Sequence, residues 1–219
     1  MKFWSYRLAP VTLPVTGVVI VICLFLVHSY LCNHWQWIFW VLLSLVNVGS
    51  GAVLGVFIKR LYLGASKDPL TGLYNRRCFY DRMNYEMEKM KRTKLPLSLA
   101  LIDIDNFKTI NDTYGHLEGD RVLVQLSGIF KAQARSGDTI VRWGGEEFAI
   151  ILPETDKNGA IACAERVRGL VEGSDWKYIV TVSVGITTVC QESDAEKIMA
   201  IADRALYKAK EGKNMVFFM

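Results

Sequence analysis

The sequence predicts an α+β protein, one ferredoxin-like palm domain on a central antiparallel sheet, preceded by a two-helix transmembrane hairpin. Three observations carry this. Two apolar stretches of membrane-spanning length are confined to the first 60 of the 219 residues. Beyond them, amphipathic helical patterns alternate with short apolar runs of strand length. Near residue 145, two β-branched runs flank a Gly-Gly pair, which reads as an antiparallel hairpin. A hairpin combined with alternating helices implies one helix-covered sheet. The chain accordingly divides into an anchor over residues 1–60, a linker over 61–67 and a folded domain over 68–219.

Residues 1–60 contain no Asp or Glu, and their only Lys and Arg are Lys2, Arg7, Lys59 and Arg60. The stretches at about 11–31 and 37–58 are each roughly 20 residues, enough for a helix to cross a hydrocarbon core of ~30 Å. Between them, Cys32-Asn33-His34-Trp35-Gln36 is only a turn. A cleaved signal peptide is the alternative for the first stretch, but its apolar run is too long for such a segment and a second span follows at once. Basic residues before the first span and after the second place both ends in the cytoplasm by the positive-inside rule. The chain is then a multi-pass membrane protein in contact with lipid. Those four cations match the net charge of +4, so 22 of the 26 basic side chains remain to face 22 acidic ones. Such a balance leaves no electrostatic footprint for nucleic acid, and no polynucleotide partner is expected. The five cysteines show no paired CxxC spacing and read as reduced packing residues.

The folded domain reads in order. From Asn75 to about Thr93, Phe79, Met83, Met87 and Met90 recur at helical spacing, and Pro96 closes the segment. Leu97 to Ile104 is a short apolar run with acids at its end, a buried strand. A helical pattern follows from about Glu118 to Ala134, then the hairpin centred on Gly144-Gly145. A helix near Lys157 to Val171, a β-rich run from Ile179 to Val189, a helix from about Asp194 to Lys210 and a short strand at Met215 to Phe218 complete the domain.

Two places invite chemistry. Strand alternation puts Asp103 and Asp105 on one side of a strand end, where two carboxylates suit a cation with oxygen ligands such as magnesium. The alternative is that one or both cap the turn Asp105-Asn106-Phe107-Lys108. In the hairpin, Gly144-Gly145 stands where a tight turn needs positive φ, and Glu146 and Glu147 follow it. A tip without side chains lets backbone approach a phosphate while the carboxylates face a metal.

Five blocks then occur in order. They are Asp68-Pro-Leu-Thr-Gly-Leu-Tyr-Asn-Arg-Arg77; Asp103-Ile-Asp-x-Phe-Lys-x-x-Asn-Asp112 with Gly115-His116-x-x-Gly119-Asp120; Arg142-Trp-Gly-Gly-Glu-Glu-Phe148; Thr181-Val-Ser-Val-Gly185; and Ala202-Asp-x-Ala-Leu-Tyr-x-Ala-Lys210. Together they resemble the GGDEF family of diguanylate cyclases over residues 68–216, with a nucleotide-cyclase type of palm. The resemblance implies condensation of two GTP into cyclic di-GMP with release of two pyrophosphates, in a head-to-head homodimer on the bacterial inner membrane. Two magnesium ions per active site, or manganese, would be held by Asp103, the carbonyl of Ile104 and Glu146. Glu146 or Glu147 would assist deprotonation of the attacking 3′-hydroxyl, and Lys108 would offset charge on phosphate.

By the same resemblance, Asn111 and Asp120 read guanine, His116 contacts substrate or serves the turn, and Gly144 and Gly145 admit the nucleotide. Lys210 is a phosphate ligand and Lys213 its partner. One departure stands out: Glu211-Gly212-Lys213-Asn214 is one residue shorter than the family pattern and has Lys where Arg is usual, so Lys213 matches its role less well than Lys210. Arg135-Ser136-Gly137-Asp138 resembles the family's inhibitory RxxD site, with Arg135 and Asp138 binding cyclic di-GMP and Arg166 as a second arm. Rival readings are a non-catalytic cyclic di-GMP receptor and a membrane scaffold.

Overall fold

The computed structural model describes residues 15, 17–26, 37–64, 66–189 and 194–219. They form two compact units, residues 1–66 and 67–219. In the first unit, α1 (Gly17–Leu26) is a short apolar helix and α2 (Trp37–Gly64) a long one. Within α2, Ile38–Lys59 is long and apolar enough to cross a membrane, and it is the one such helix among the described residues. Its apolar side chains, including Leu45, Val46 and Val53, are exposed, which a water-soluble core helix would not be. The two helices touch within the unit, for Phe25 meets Trp40 edge to face with ring centroids 6.4 Å apart. The expected first span lies partly outside the described residues, and the turn 32–36 wholly so. α2 continues as helix to Gly64, through the first part of the expected linker over 61–67.

The second unit is a six-stranded sheet in the order β1-β3-β4-β2-β5-β6. Its strands are β1 (Tyr74–Asn75), β2 (Leu97–Ile104), β3 (Thr139–Arg142), β4 (Glu147–Pro153), β5 (Val182–Val189) and β6 (Val216–Phe218). Its helices are α3 (Arg76–Thr93), α4 (Phe107–Tyr114), α5 (His116–Gln133), α6 (Lys157–Glu172) and α7 (Ala195–Gly212). The four inner strands are antiparallel as expected, but both edges are parallel, β1 to β3 and β6 to β5. The sheet is therefore mixed. The crossover helix α7 returns the chain beside β5 in the same direction, which is the geometry a parallel neighbour requires.

Both faces of the sheet are covered, which explains why β2 is buried at all eight positions and reads as a continuous run instead of an alternating one. On one face Phe79, Met83, Ile198 and Leu206 of α3 and α7 pack on Leu99, Leu101, Ala149 and Ile151. On the other, Phe107, Val122, Leu126, Phe130 and Val167 of α4, α5 and α6 pack on Ala100, Ile102, Phe148 and Ile150. Phe79, Phe130 and Phe148 are fully buried, and truncating any one to Ala would cost about 3–5 kcal/mol. Gly185 of β5 has no room for a side chain, because the backbone of α7 at Ala202 and Leu206 occupies that space. The expected helices and strands are present with small end shifts. Two elements were not anticipated: the two-residue β1, too short for any pattern, and α4, where only a turn was expected.

Candidate active site

The candidate groups for metal and phosphate chemistry in the second unit gather at the end of β2 and its neighbours. Asp103 is paired in register with Glu147 on β4 and with Ser183 on β5. Directly opposed residues share a face, so Asp103 and Glu147 project to the same side as Leu101, the side carrying α7. From α7, Lys210 Nζ reaches Asp103 Oδ2 at 2.7 Å. Asp103 is 3% exposed, and its Oδ1 has no hydrogen-bond partner. A buried carboxylate oxygen left unpaired costs free energy unless something binds it. Burial raises the Asp103 pKa, with Lys210 opposing and Asp105 adding to the rise.

Asp105 does different work. Its Oδ1 accepts from Ser183 Oγ at 2.7 Å; its Oδ2 accepts from Thr181 Oγ1 at 2.7 Å and from the Asn214 amide at 2.8 Å. Three donors occupy this buried carboxylate, which ties β2 to β5 and to the segment after α7. Of the pair expected to hold a cation, Asp103 is open to one and Asp105 is not.

The hairpin brings the glutamates to the same end. Trp143 and Gly144 amides both donate to Glu147 O, at 2.8 and 3.2 Å, so the tip is a tight loop. Its glycines differ from expectation, because the positive-φ glycines among the described residues are Gly72 and Gly115. Gly144 instead lies against Glu147, since a Cβ there would meet the end of the Glu147 carboxylate, a flexible group that can turn aside, while Gly145 opens to solvent. Glu146 is half-buried, and its pKa is raised by burial, by Asp103 and by Glu147, with Lys210 opposing. The charges of Asp103, Glu146 and Lys210 thus act on one another at one end of the sheet.

One supporting residue was not singled out from the sequence. Arg142 spans the hairpin base, donating from Nε to Gly144 O at 3.2 Å and from Nη2 to Gly145 O at 2.8 Å. Its Nη1 pairs with both oxygens of Asp68 at 3.1 and 3.2 Å. Asp68 also accepts from Thr71 Oγ1 at 2.6 Å and the Thr71 amide at 2.8 Å. Burial pushes the Asp68 carboxyl up, but the Thr71 and Arg142 bonds outweigh it and hold its pKa below the usual value. Both residues sat inside the motif blocks; their contact across 74 positions was not readable there.

On the other face, Asn106 at φ 56 turns the chain into α4, which carries exposed Lys108 and half-buried Asn111. Gly115 at φ 85 turns it again into α5, which opens with His116 and carries exposed Asp120 one turn on. The Asn111 amide lies where a Gly119 side chain would be, so glycine there permits the α4–α5 corner to close. Asn111, His116 and Asp120 therefore line one corner. Ile104 buries its side chain in the core, leaving only its backbone to serve a ligand.

After α7, Lys213 Nζ donates to Asn106 Oδ1 at 2.8 Å, at the start of α4. The backbone of Lys213, at φ 57 and ψ 162, lies in a region almost reserved for glycine, at a cost of about 1–3 kcal/mol.

The RxxD segment closes on itself, with the Arg135 amide donating to Asp138 Oδ2 at 2.8 Å. From α6, Arg166 Nη2 reaches Cys163 Sγ at 3.7 Å. Burial raises the Cys163 pKa, and the charges of Arg166, Asp138 and Arg135 act on the same thiol.

Do these groups suit a divalent cation? Among the described residues no three His, Cys, Asp or Glu side chains are gathered to cage one. A hard cation that keeps waters and shares phosphate oxygens needs fewer protein ligands. Asp103 Oδ1, unpartnered and buried within electrostatic reach of Glu146, fits that mode.

The family described as "Diguanylate cyclase, GGDEF domain" matches residues 65–215. Diguanylate cyclase DosC of Escherichia coli (strain K12) is 40% identical over 156 residues, 68% of this chain and 34% of that protein. Diguanylate cyclase A of Treponema denticola is 38% identical over 180 residues, 78% of this chain and 48% of its own. The chain thus spans a third to a half of the length of these relatives. Among solved structures, the coiled coil and GGDEF domain of DgcB from Caulobacter crescentus, in complex with c-di-GMP, matches with a TM-score of 0.73 at 28% identity. That match covers 78% of this chain and 94% of the solved coiled-coil and GGDEF chain.

Proposed function

The chain belongs to the GGDEF-domain diguanylate cyclase family, and we propose that it condenses two GTP into cyclic di-GMP and two pyrophosphates. The observation that carries this is Asp103, a buried carboxylate with an unpaired oxygen beside Glu146 at the hairpin end of the sheet. Diguanylate cyclases of this family generally use divalent metal ions. Asp103, Glu146 and the carbonyl of Ile104 would hold magnesium or manganese, which when bound polarises phosphate and lowers the pKa of a coordinated hydroxyl. Lys210 leaves Asp103 for a phosphate oxygen of GTP, and Lys108 and Lys213 offset charge at the start of α4. Asp120 accepts from the guanine N1–H and N2–H groups and the Asn111 amide serves the remaining edge, with His116 at the same corner. Glu147, on the Asp103 side of the sheet, receives the proton of the attacking 3′-hydroxyl.

One chain supplies one GTP, so two copies must meet head to head as a homodimer for the two α-phosphates to be attacked. Arg135, Asp138 and Arg166 bind the product and inhibit, a reading supported by the Arg135–Asp138 bond that closes the RxxD turn and by the charges of all three acting on Cys163. Two helices anchor the chain in the bacterial inner membrane, with both termini and the 68–219 domain in the cytoplasm; the exposed apolar surface of α2 supports the anchor.

The test is product analysis of the full chain in detergent micelles with GTP and magnesium. Wild type yields cyclic di-GMP, and Glu146→Gln and Glu147→Gln each lose it while guanine binding survives. Turnover that is indifferent to both substitutions would remove this chemistry.

A further inference from the structure

The short turn between α7 and β6 is held from three sides. The Asn214 amide donates to Asp105 Oδ2 at 2.8 Å. The Asn214 side chain accepts from Arg168 Nη1 at 2.9 Å and donates to Glu172 Oε1 at 2.7 Å, both on α6. Arg168 is itself braced by Glu165 and Glu172. Next to this clamp, Lys213 occupies its near-glycine-only backbone conformation and Asn214 stands at φ 45. Asparagine tolerates positive φ; lysine at ψ 162 does not. A flexible turn of exposed residues would relax, so the conformation persists because the clamp imposes it. Its consequence is the position of one ammonium, Lys213 Nζ against Asn106 at the opening of α4. Asp105 is the hub of this arrangement and sits two residues from Asp103.

We infer that Asp105, Arg168 and Glu172 are positioning residues for nucleotide binding, acting through Asn214 to hold strained Lys213 with its ammonium toward the triphosphate. The inference rests on the reading above that this end of the sheet takes GTP. The clamp lets a short turn deliver a second cation, at the start of α4, at the cost of local strain.

The probe is 3′-deoxy-GTP, which lacks the attacking hydroxyl, bound to the full chain in micelles with magnesium; GMP serves as the control without terminal phosphates. Asn214→Ala and Arg168→Leu are each expected to weaken 3′-deoxy-GTP about tenfold, the size of one charge-assisted hydrogen bond, and to leave GMP unchanged. In a Lys213→Ala background neither substitution has a further effect, because each acts through Lys213. Lys213→Gly unfolds at a higher temperature than Lys213→Ala while binding the triphosphate equally poorly. The inference falls if Asn214→Ala and Arg168→Leu leave affinity intact, if their losses add to that of Lys213→Ala, or if the glycine variant is no more stable. Failure of the wild type to bind 3′-deoxy-GTP, or indifference of binding to Lys210→Ala and Lys213→Ala alike, overturns the nucleotide reading itself and the inference with it.

Discussion

Asp103 and Glu146 are both pushed above their ordinary pKa values, first by burial and then by neighbouring carboxylates, and Lys210 opposes the rise in both. A cation binds the ionised forms, so metal affinity is lost as pH falls through these raised values, beginning above the usual carboxylate range. Lys210→Met removes the opposing charge and moves that loss to still higher pH, which manganese titration followed by magnetic resonance will register; a downward move contradicts the assignment. Removing the desolvated charge by Asp103→Asn is expected to raise the unfolding temperature of the metal-free chain while abolishing turnover, a separation of stability from function. Lys108→Ala should lower kcat about 10²-fold or more, as removal of a donor to developing charge does. Asp68 has the opposite sign: its folded pKa is depressed, so its stabilisation is full above the unfolded value and is lost as pH falls through the folded one.

The signature hairpin is braced through Arg142, whose guanidinium holds the Gly144 and Gly145 carbonyls and the Asp68 carboxylate together. Its pair with Asp68 leaves about 15% of each side chain exposed, so breaking it removes charge-assisted bonds from a partly dry setting. Arg142→Met is expected to cost about 1–3 kcal/mol. A double-mutant cycle with Asp68→Asn by thermal unfolding should recover a coupling near that size. Element by element, the sequence was informative where chemistry and periodicity coincide. β2 was legible because an eight-residue apolar run ends on acids, and α3 and α7 because their buried residues recur at helical spacing. α4 was not, since Asn106 in the left-handed region breaks the pattern and only Phe107 and Ile110 are buried in its eight residues. The positive-φ reading of Gly144-Gly145 failed because neither glycine takes positive φ; Gly144 lies against the Glu147 carboxylate and Gly145 opens to solvent. Asp103 and Asp105 looked equivalent in sequence. What separates them is Thr181, Ser183 and Asn214, 76 to 109 residues away, which no local pattern records.

At the scale of the molecule, an apolar unit with exposed Leu and Val side chains precedes a sheet domain whose charges balance. If α2 spans a bilayer, the chain stays with membranes through alkaline carbonate washing, and release into the wash would refute the anchor. The proposed site of the sheet domain takes one nucleotide, while the proposed reaction joins two. The rate of cyclic di-GMP formation by the full chain at saturating GTP and magnesium, followed against protein concentration together with pyrophosphate release, therefore tests the account most directly. The account predicts two pyrophosphates per cyclic di-GMP and a rate that rises with the square of protein concentration while dimers are scarce; binding of cyclic di-GMP through Arg135 and Asp138 with no turnover of GTP would contradict it.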